Sequence, residues 1–183
     1  FAYVAAHPAR FQKKLLVEYL PALDPKKGNR LWDLLGQKFT GLSYREADRL
    51  SSRSKEFILS LFPKEKIYTC LLPGHVVRDL GTPGPGARKS VGMLQKIGFR
   101  FLRQIDPFDG GPHFGALTKN VTLVRRTRRL VWGEKLLKAP VSARSIFLSE
   151  NKGDVRAVLS DPSDPGTRTL DLKKGDTFWA TPF

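Results

Sequence analysis

The chain has 183 residues, 40% hydrophobic and 27% charged, with a formal net charge of +15. A chain of that length buries roughly 70% of its unfolded surface, so its core needs no disulfide or metal staple. No run approaches the ~18 consecutive apolar residues of a membrane helix, which excludes a helical membrane span.

Phe1–Ala6 is apolar from its first residue, with neither a starting methionine nor a basic lead. It reads as a helix begun upstream, its apolar face laid on the next strand. After helix to about Phe11, alternation predicts a strand over Lys14–Leu23, stopped by Asp24-Pro25. Glu18 interrupts this otherwise apolar strand, either at an edge or aimed into a cleft. Asn29 is placed as the N-cap of the next helix, with Leu31, Leu34 and Leu35 as its buried stripe. Ser43–Leu50 and Lys55–Leu61 read as short helices. The apolar run Ile67–Leu72 reads as a strand that buries Cys70 as a small hydrophobe. A lone cysteine excludes an intrachain disulfide and agrees with a reducing compartment such as the cytoplasm.

A Gly/Pro loop, Gly81–Gly86, leads into a helix over Ala87–Ile97 that buries Ala87, Val91 and Leu94, with Gly98 as its left-handed cap. Phe99, Phe101 and Ile105 alternate on a strand ending at Asp106-Pro107. Val121–Trp132 is read as an arginine-rich strand. Ala143–Glu150, Val155–Ser160 and Thr177–Pro182 form a small sheet joined by turns at Asn151-Lys152-Gly153 and Asp161–Gly166. Trp32–Phe39 echoes Leu94–Phe99: each reads as a helix end, a glycine and an aromatic entering a strand. Trp32, Leu35, Phe39, Leu94, Phe99 and Phe101 are the expected framework.

The loop Gly81–Ser90 imitates a nucleotide P-loop but fails on chemistry. Two residues separate its last glycine from Lys89, and Pro83 and Pro85 remove N–H groups that would cradle phosphate. Anion binding at the helix start, aided by Arg88 and Lys89, stays open. His7, His75 and His113 lack metal-ligand spacing, so no metal is expected. His75 and His113 are the candidate proton-transfer groups, each weighed against an ordinary loop histidine. Asp106-Pro107-Phe108-Asp109-Gly110-Gly111-Pro112 puts two carboxylates beside a glycine pair; they either bind a cationic head or cap turn N–H groups. Charge is uneven: Arg88–Lys138 holds 12 Lys/Arg against three acids, a net +9. Such a field draws coenzyme A phosphates, nucleic acid or an acidic partner subunit, or is simply a solvated surface. Nucleic acid is the weaker reading, since no RNP, helix-turn-helix or finger pattern accompanies the charge.

Order and spacing of Gly28–Trp32–Leu35-Gly36–Phe39, Ala47-Asp48-Arg49-Leu50, Lys55-Glu56-Phe57-Ile58, Phe62-Pro63-Lys64, Ile67-Tyr68, Lys96–Arg100 and Asp106–Pro112 resemble the arginine N-succinyltransferase family. The match runs over about Phe1–Pro112 and more loosely beyond. It implies an α+β, GNAT-like C-terminal half over 1–138, with a small β-rich segment over 139–183. It also implies succinyl transfer from succinyl-CoA, the acyl donor and not a resident cofactor, to arginine or a related small-molecule amine. Glu18, Asp106 and Asp109 would lie on the amine side, and Asn29, Arg88 and Lys89 on the donor side. The family's donor loop would precede Phe1, so an upstream half or a partner subunit is expected to supply it. The sequence departs from the family at Leu20, Gly84 and Gly115; Gly84 stands where the family's acid/base histidine aligns. A catalytically lapsed relative, acting as an interaction subunit through its basic face, is the alternative.

Overall fold

The computed structural model describes residues 1–24, 28–54, 56, 60, 65–133, 144–160 and 167–182. The expected division at 138/139, most of the Lys55–Leu61 helix and the Asp161–Gly166 turn lie outside the described residues. The chain forms two compact units: Leu16–Gly115, and Phe1–Leu15 together with Ala116–Phe183. Among the described residues no helix is long and apolar enough to cross a membrane.

In the Leu16–Gly115 unit, β1 (Lys14–Glu18), β2 (Arg100–Ile105) and β3 (Pro112–Leu117) supply a sheet of order β1-β3-β2. β1 and β3 each run across the boundary between units. β2 and β3 are antiparallel, with Arg100 opposite Gly115, Ile105 opposite Pro112 and an irregularity between. Arg103 within it takes φ 56°, the left-handed turn of a bulged strand. β1 stops at Glu18, not at Leu23. Pro21 has no N–H to donate, and the chain instead meets the Gly/Pro loop through a bridge from Pro21 to Pro83.

Asn29 is the N-cap expected: its Oδ1 accepts from the Trp32 N–H at 2.8 Å. The helix then takes wide π turns over Trp32–Gly36 before the α-helical turns of α2 (Gln37–Thr40). Gly36 lies under the Trp32 ring, where an added Cβ would come within 2.3 Å of Cε3. The expected echo of two helix ends is therefore wrong. Gly36 sits inside a helix at φ −57°, and the left-handed residue is Gly41 at φ 70°. Phe39 consequently stays in the helix and is 54% exposed, and Phe101 is 41% exposed, against expectation. Leu35 and Leu94 are half-buried, while Trp32 and Phe99 are buried.

α3 (Tyr44–Ser51) begins in a capping box: Ser43 accepts from the Glu46 N–H, and Glu46 accepts from the Ser43 N–H. Bonds from the Ser43 side chain and backbone hold the Glu46 carboxyl below its usual range. Ser43→Ala is expected to cost about 1 kcal/mol, read as a lower urea midpoint at unchanged slope. Trp32, Tyr44, Ala47 and Phe108 pack as one cluster with Leu42 beside them. Burial, reinforced by the Asp109 charge, pushes the Tyr44 phenol well up.

The strand expected over Ile67–Leu72 is instead a 3-10 turn, Thr69–Leu71, with Cys70 exposed. No described strand pairs with it, Pro73 follows at once, and Tyr68 and Leu71 face solvent. α4 (Gly74–Asp79) and α5 (Arg88–Lys96) follow. α5 ends as expected, with Gly98 at φ 107° and the Phe99 N–H returning to the Leu94 carbonyl at 3.1 Å.

In the other unit, α1 (Ala2–Ala6) forms, but its main packing is against α6 (Thr122–Arg126), β5 (Ser145–Asn151) and β7 (Thr177–Pro182), not the β1 strand expected. The strand expected over Val121–Trp132 is in fact α6 followed by β4 (Arg128–Val131). The Arg128 guanidinium donates to the Arg125 and Thr127 carbonyls and so closes the end of that helix. β6 (Asp154–Ser160) completes an antiparallel sheet of order β4-β7-β5-β6 over Phe147, Leu170, Phe178 and Ala180. The Asn151–Asp154 hairpin turns through Lys152 at φ 49° and Gly153 at φ 88°, the mirror-image turn that suits strand twist.

Candidate functional site

The sheet order brings three strand ends together. β1 finishes on Glu18, β2 gives way to Asp106, and β3 carries His113 as its second residue. One donor atom from each of Glu18, Asp106 and His113 lies within 4.8 Å of the others. His113 Nε2 is 3.6 Å from Glu18 Oε1; the histidine side chain is 16% exposed and the glutamate 58%. That nitrogen is buried with no hydrogen-bond partner among the described residues. An exposed carboxylate, a buried imidazole nitrogen without a hydrogen-bond partner and a second carboxylate alongside can take up a proton or hold a cationic head group. The same donor set also suits a divalent cation.

The turn between β2 and β3 carries both aspartates. Asp106 Oδ1 accepts from the Phe108 N–H at 2.8 Å, and Asp109 Oδ1 accepts from the Gly111 N–H at 2.7 Å. Both carboxylates thus cap turn N–H groups, while Asp106 also faces the cluster. Gly111 permits a close approach, because a Cβ there would meet the Tyr19 carbonyl at 2.3 Å. Asn29 Nδ2 donates to the Asp109 carbonyl at 2.7 Å, so this buried side chain spans the helix start and the turn.

Asp109 is 7% exposed. Burial pushes its carboxyl up from 3.8 to about 6, opposed by the Gly111 hydrogen bond and helped by the Asp106 charge. A raised carboxyl means that the folded chain binds more protons than the unfolded one between pH 3.8 and about 6. The contribution to stability is present below 3.8 and lost as pH rises through 6. Asp109→Asn keeps an acceptor for Gly111 and removes the ionisation. Its expected effect is a gain on the order of 1–2 kcal/mol at pH 8, fading towards pH 4. Melting curves across that range check the sign.

The remaining candidates lie elsewhere. His75 is exposed on α4 and lines a separate cleft. Arg88 and Lys89 are exposed at the start of α5. Gly84 is stitched to the chain just beyond β1 by its N–H to the Leu20 carbonyl, 3.0 Å, and a Cβ there would stand 3.0 Å from the Pro21 carbonyl. At Gly115 a Cβ would meet Leu102 Cδ1 at 2.9 Å. The sequence reading missed the Tyr19 hydroxyl bonded to Ser90 Oγ at 2.6 Å. No spacing signal joins residues 71 positions apart.

These elements form the mixed α/β fold of the GNAT-like acyltransferases. The solved structure of arginine/ornithine succinyltransferase subunit AI from Pseudomonas aeruginosa matches 99% of this chain and 54% of its own, with a TM-score of 0.79 and 27% identity. The family described as arginine N-succinyltransferase beta subunit matches residues 1–123, and the chain belongs to the arginine N-succinyltransferase family. Arginine N-succinyltransferase subunit alpha of Pseudomonas aeruginosa is 33% identical over 161 residues, covering 87% of this chain and 47% of its own. Arginine N-succinyltransferase of Citrobacter koseri is 31% identical over 173 residues, covering 94% and 50%. The chain spans about half the length of these curated relatives.

Proposed function

We propose that this chain provides the amine side of a succinyl-CoA-dependent N-acyltransferase acting on arginine or a related amine. The observation that carries the reading is the buried, unpartnered His113 nitrogen beside Glu18 and Asp106; family membership supports the reaction class. The substrate ammonium loses one proton to His113, and the free amine attacks the thioester carbonyl. The C–S bond then breaks. The coenzyme A thiolate takes the second proton from nitrogen, leaving an amide and a free thiol. Glu18 and Asp106 hold the cationic substrate beside the imidazole. Arg88 and Lys89 are the donor-side cations, and the acyl-CoA loop would come from further polypeptide or a partner subunit.

The test is thiol release from succinyl-CoA on addition of L-arginine, using the full-length protein with any subunit that copurifies. Robust release that persists in EDTA is expected. Absence of release from every amine tried would favour the lapsed relative acting through its basic face. Loss of release in EDTA would reassign the cluster to a bound cation.

A further inference from the structure

The spacing of Glu18, Asp106 and His113 is set by backbone bonds that converge on the turn between β2 and β3. The Asp106 N–H donates to the Gly111 carbonyl and the Gly110 N–H returns to the Asp106 carbonyl, both at 2.8 Å. The Tyr19 N–H, next to Glu18, donates to the Pro112 carbonyl at 3.2 Å. A shift of Gly111-Pro112 therefore displaces all three side chains relative to one another. Asn29 grips this turn from outside the sheet. It is 2% exposed; its Oδ1 accepts from the Trp32 N–H at 2.8 Å, and its Nδ2 donates to the Asp109 carbonyl at 2.7 Å, 80 residues away. The first bond needs only an acceptor, and serine or aspartate caps a helix as well as asparagine. The second needs a donor at the end of a forked side chain. Serine stops one atom short of that, and an ionised aspartate carries acceptors alone.

We infer that Asn29 is a positioning residue for the amine-side cluster: its amide holds the Asp109 carbonyl and, through Gly111-Pro112, sets Asp106 and His113 against Glu18. The inference rests on the amine-side reading proposed above, and it moves Asn29 off the donor side that the family resemblance implies. A buried carbonyl deprived of its donor is costly to leave unpaired, so the turn relaxes from its place when the amide is lost. Phe108 also anchors the turn by packing against Trp32 and Tyr44, so the turn stays folded while its placement changes. A misplacement of about 1 Å at a reacting group costs up to ~10²-fold in rate.

The test compares Asn29→Ser with Ser43→Ala in the full-length protein. Each change touches a helix start, but the Ser43 side chain bonds Glu46 alone among the described residues. Asn29→Ser should lower kcat/KM for arginine at least tenfold, with KM for succinyl-CoA within about twofold; Ser43→Ala should keep both within about twofold. The His113 ring signals in NMR, identified by their loss in His113→Gln, should move in Asn29→Ser and stay in place in Ser43→Ala. Unmoved His113 signals or unchanged kcat/KM in a folded Asn29→Ser chain would overturn the inference. So would equal losses in the two variants, or a loss expressed in KM for succinyl-CoA. If Asn29→Ser does not fold, Asn29→Asp, which keeps the cap, replaces it with the same expectations. Failure of both to fold would make Asn29 a residue of folding alone and overturn the inference as well. An inactive parent whose His113 signals still move in Asn29→Ser would sink the proposed activity and leave the tether standing; an active parent with unmoved signals in the variant would do the reverse.

Discussion

Replacing His113 by alanine should lower kcat for succinyl transfer by about 10²–10⁴-fold, the usual loss when a positioned proton-transfer group is removed. The size follows from its surroundings. The nitrogen facing Glu18 is buried, lacks a hydrogen-bond partner among the described residues and sits 3.6 Å from that carboxylate. Among the described residues the donor group of Glu18 and Asp106 includes no other histidine, and His75 belongs to the separate cleft. His7 lies in the other unit, where its Nε2 pairs with Glu150 at 2.5 Å. His75→Ala should therefore leave kcat within about twofold. A His113→Gln variant keeps a polar group of similar reach but cannot serve as the base, so it should fall as far as alanine. Partial rescue at high pH, where more of the amine is already free, would mark the lost step as deprotonation. Stopped-assay rates over a pH series check both points.

The largest expected loss of stability is at Trp32. Its side chain is 1% exposed, packs on Phe108 with ring centroids 4.6 Å apart, and donates from Nε1 to the Leu42 carbonyl at 2.9 Å. Trp32→Ala should cost about 3–5 kcal/mol, combining lost transfer free energy with a cavity beside Phe108 and Tyr44. Trp32→Phe should recover most of the packing but not the hydrogen bond, leaving a deficit of about 1 kcal/mol. Phe39→Ala, seven residues on, should change stability by less than about 0.5 kcal/mol because that ring faces water. Urea unfolding of the three variants gives the ranking. A Phe39 effect as large as that of Trp32 would contradict the packing described.

The legible parts of the sequence were those governed by local chemistry. Asn29 at an N-cap, the short helix over Ser43–Leu50, Gly98 after an amphipathic run and Lys152-Gly153 between alternating strands each act within a few residues. Their geometry follows from side-chain reach and permitted φ. The errors came where tertiary contacts overrode local pattern. Gly36 resembles a helix stop, but the Trp32 ring covers it and the helix continues. Ile67–Leu72 resembles a strand, yet no described strand pairs with it, so the apolar run lies exposed as a turn. Val121–Trp132 is rich in strand-forming residues, but its first half winds into α6, closed by Arg128, and only the second half is strand.

The site was half legible for the same reason. Glu18 could be singled out as a carboxylate interrupting an apolar strand, Asp106 as one of two carboxylates at a strand-ending glycine turn, and His113 as the histidine beside that turn. Their meeting depends on β3 lying between β1 and β2, which spacing along the chain does not encode. Asn29 was placed correctly at its helix start, while its bond to the Asp109 carbonyl, 80 residues away, is a tertiary fact.

The central claim, that Glu18, Asp106 and His113 handle the amine and not the acyl donor, is tested most directly by the kinetics of Glu18→Gln. With arginine and succinyl-CoA varied in turn, KM for arginine should rise at least tenfold while KM for succinyl-CoA stays within about twofold, because removing the exposed carboxylate weakens only the hold on the cation. A rise confined to the KM for succinyl-CoA, with arginine unaffected, would place this cluster on the donor side and contradict the account.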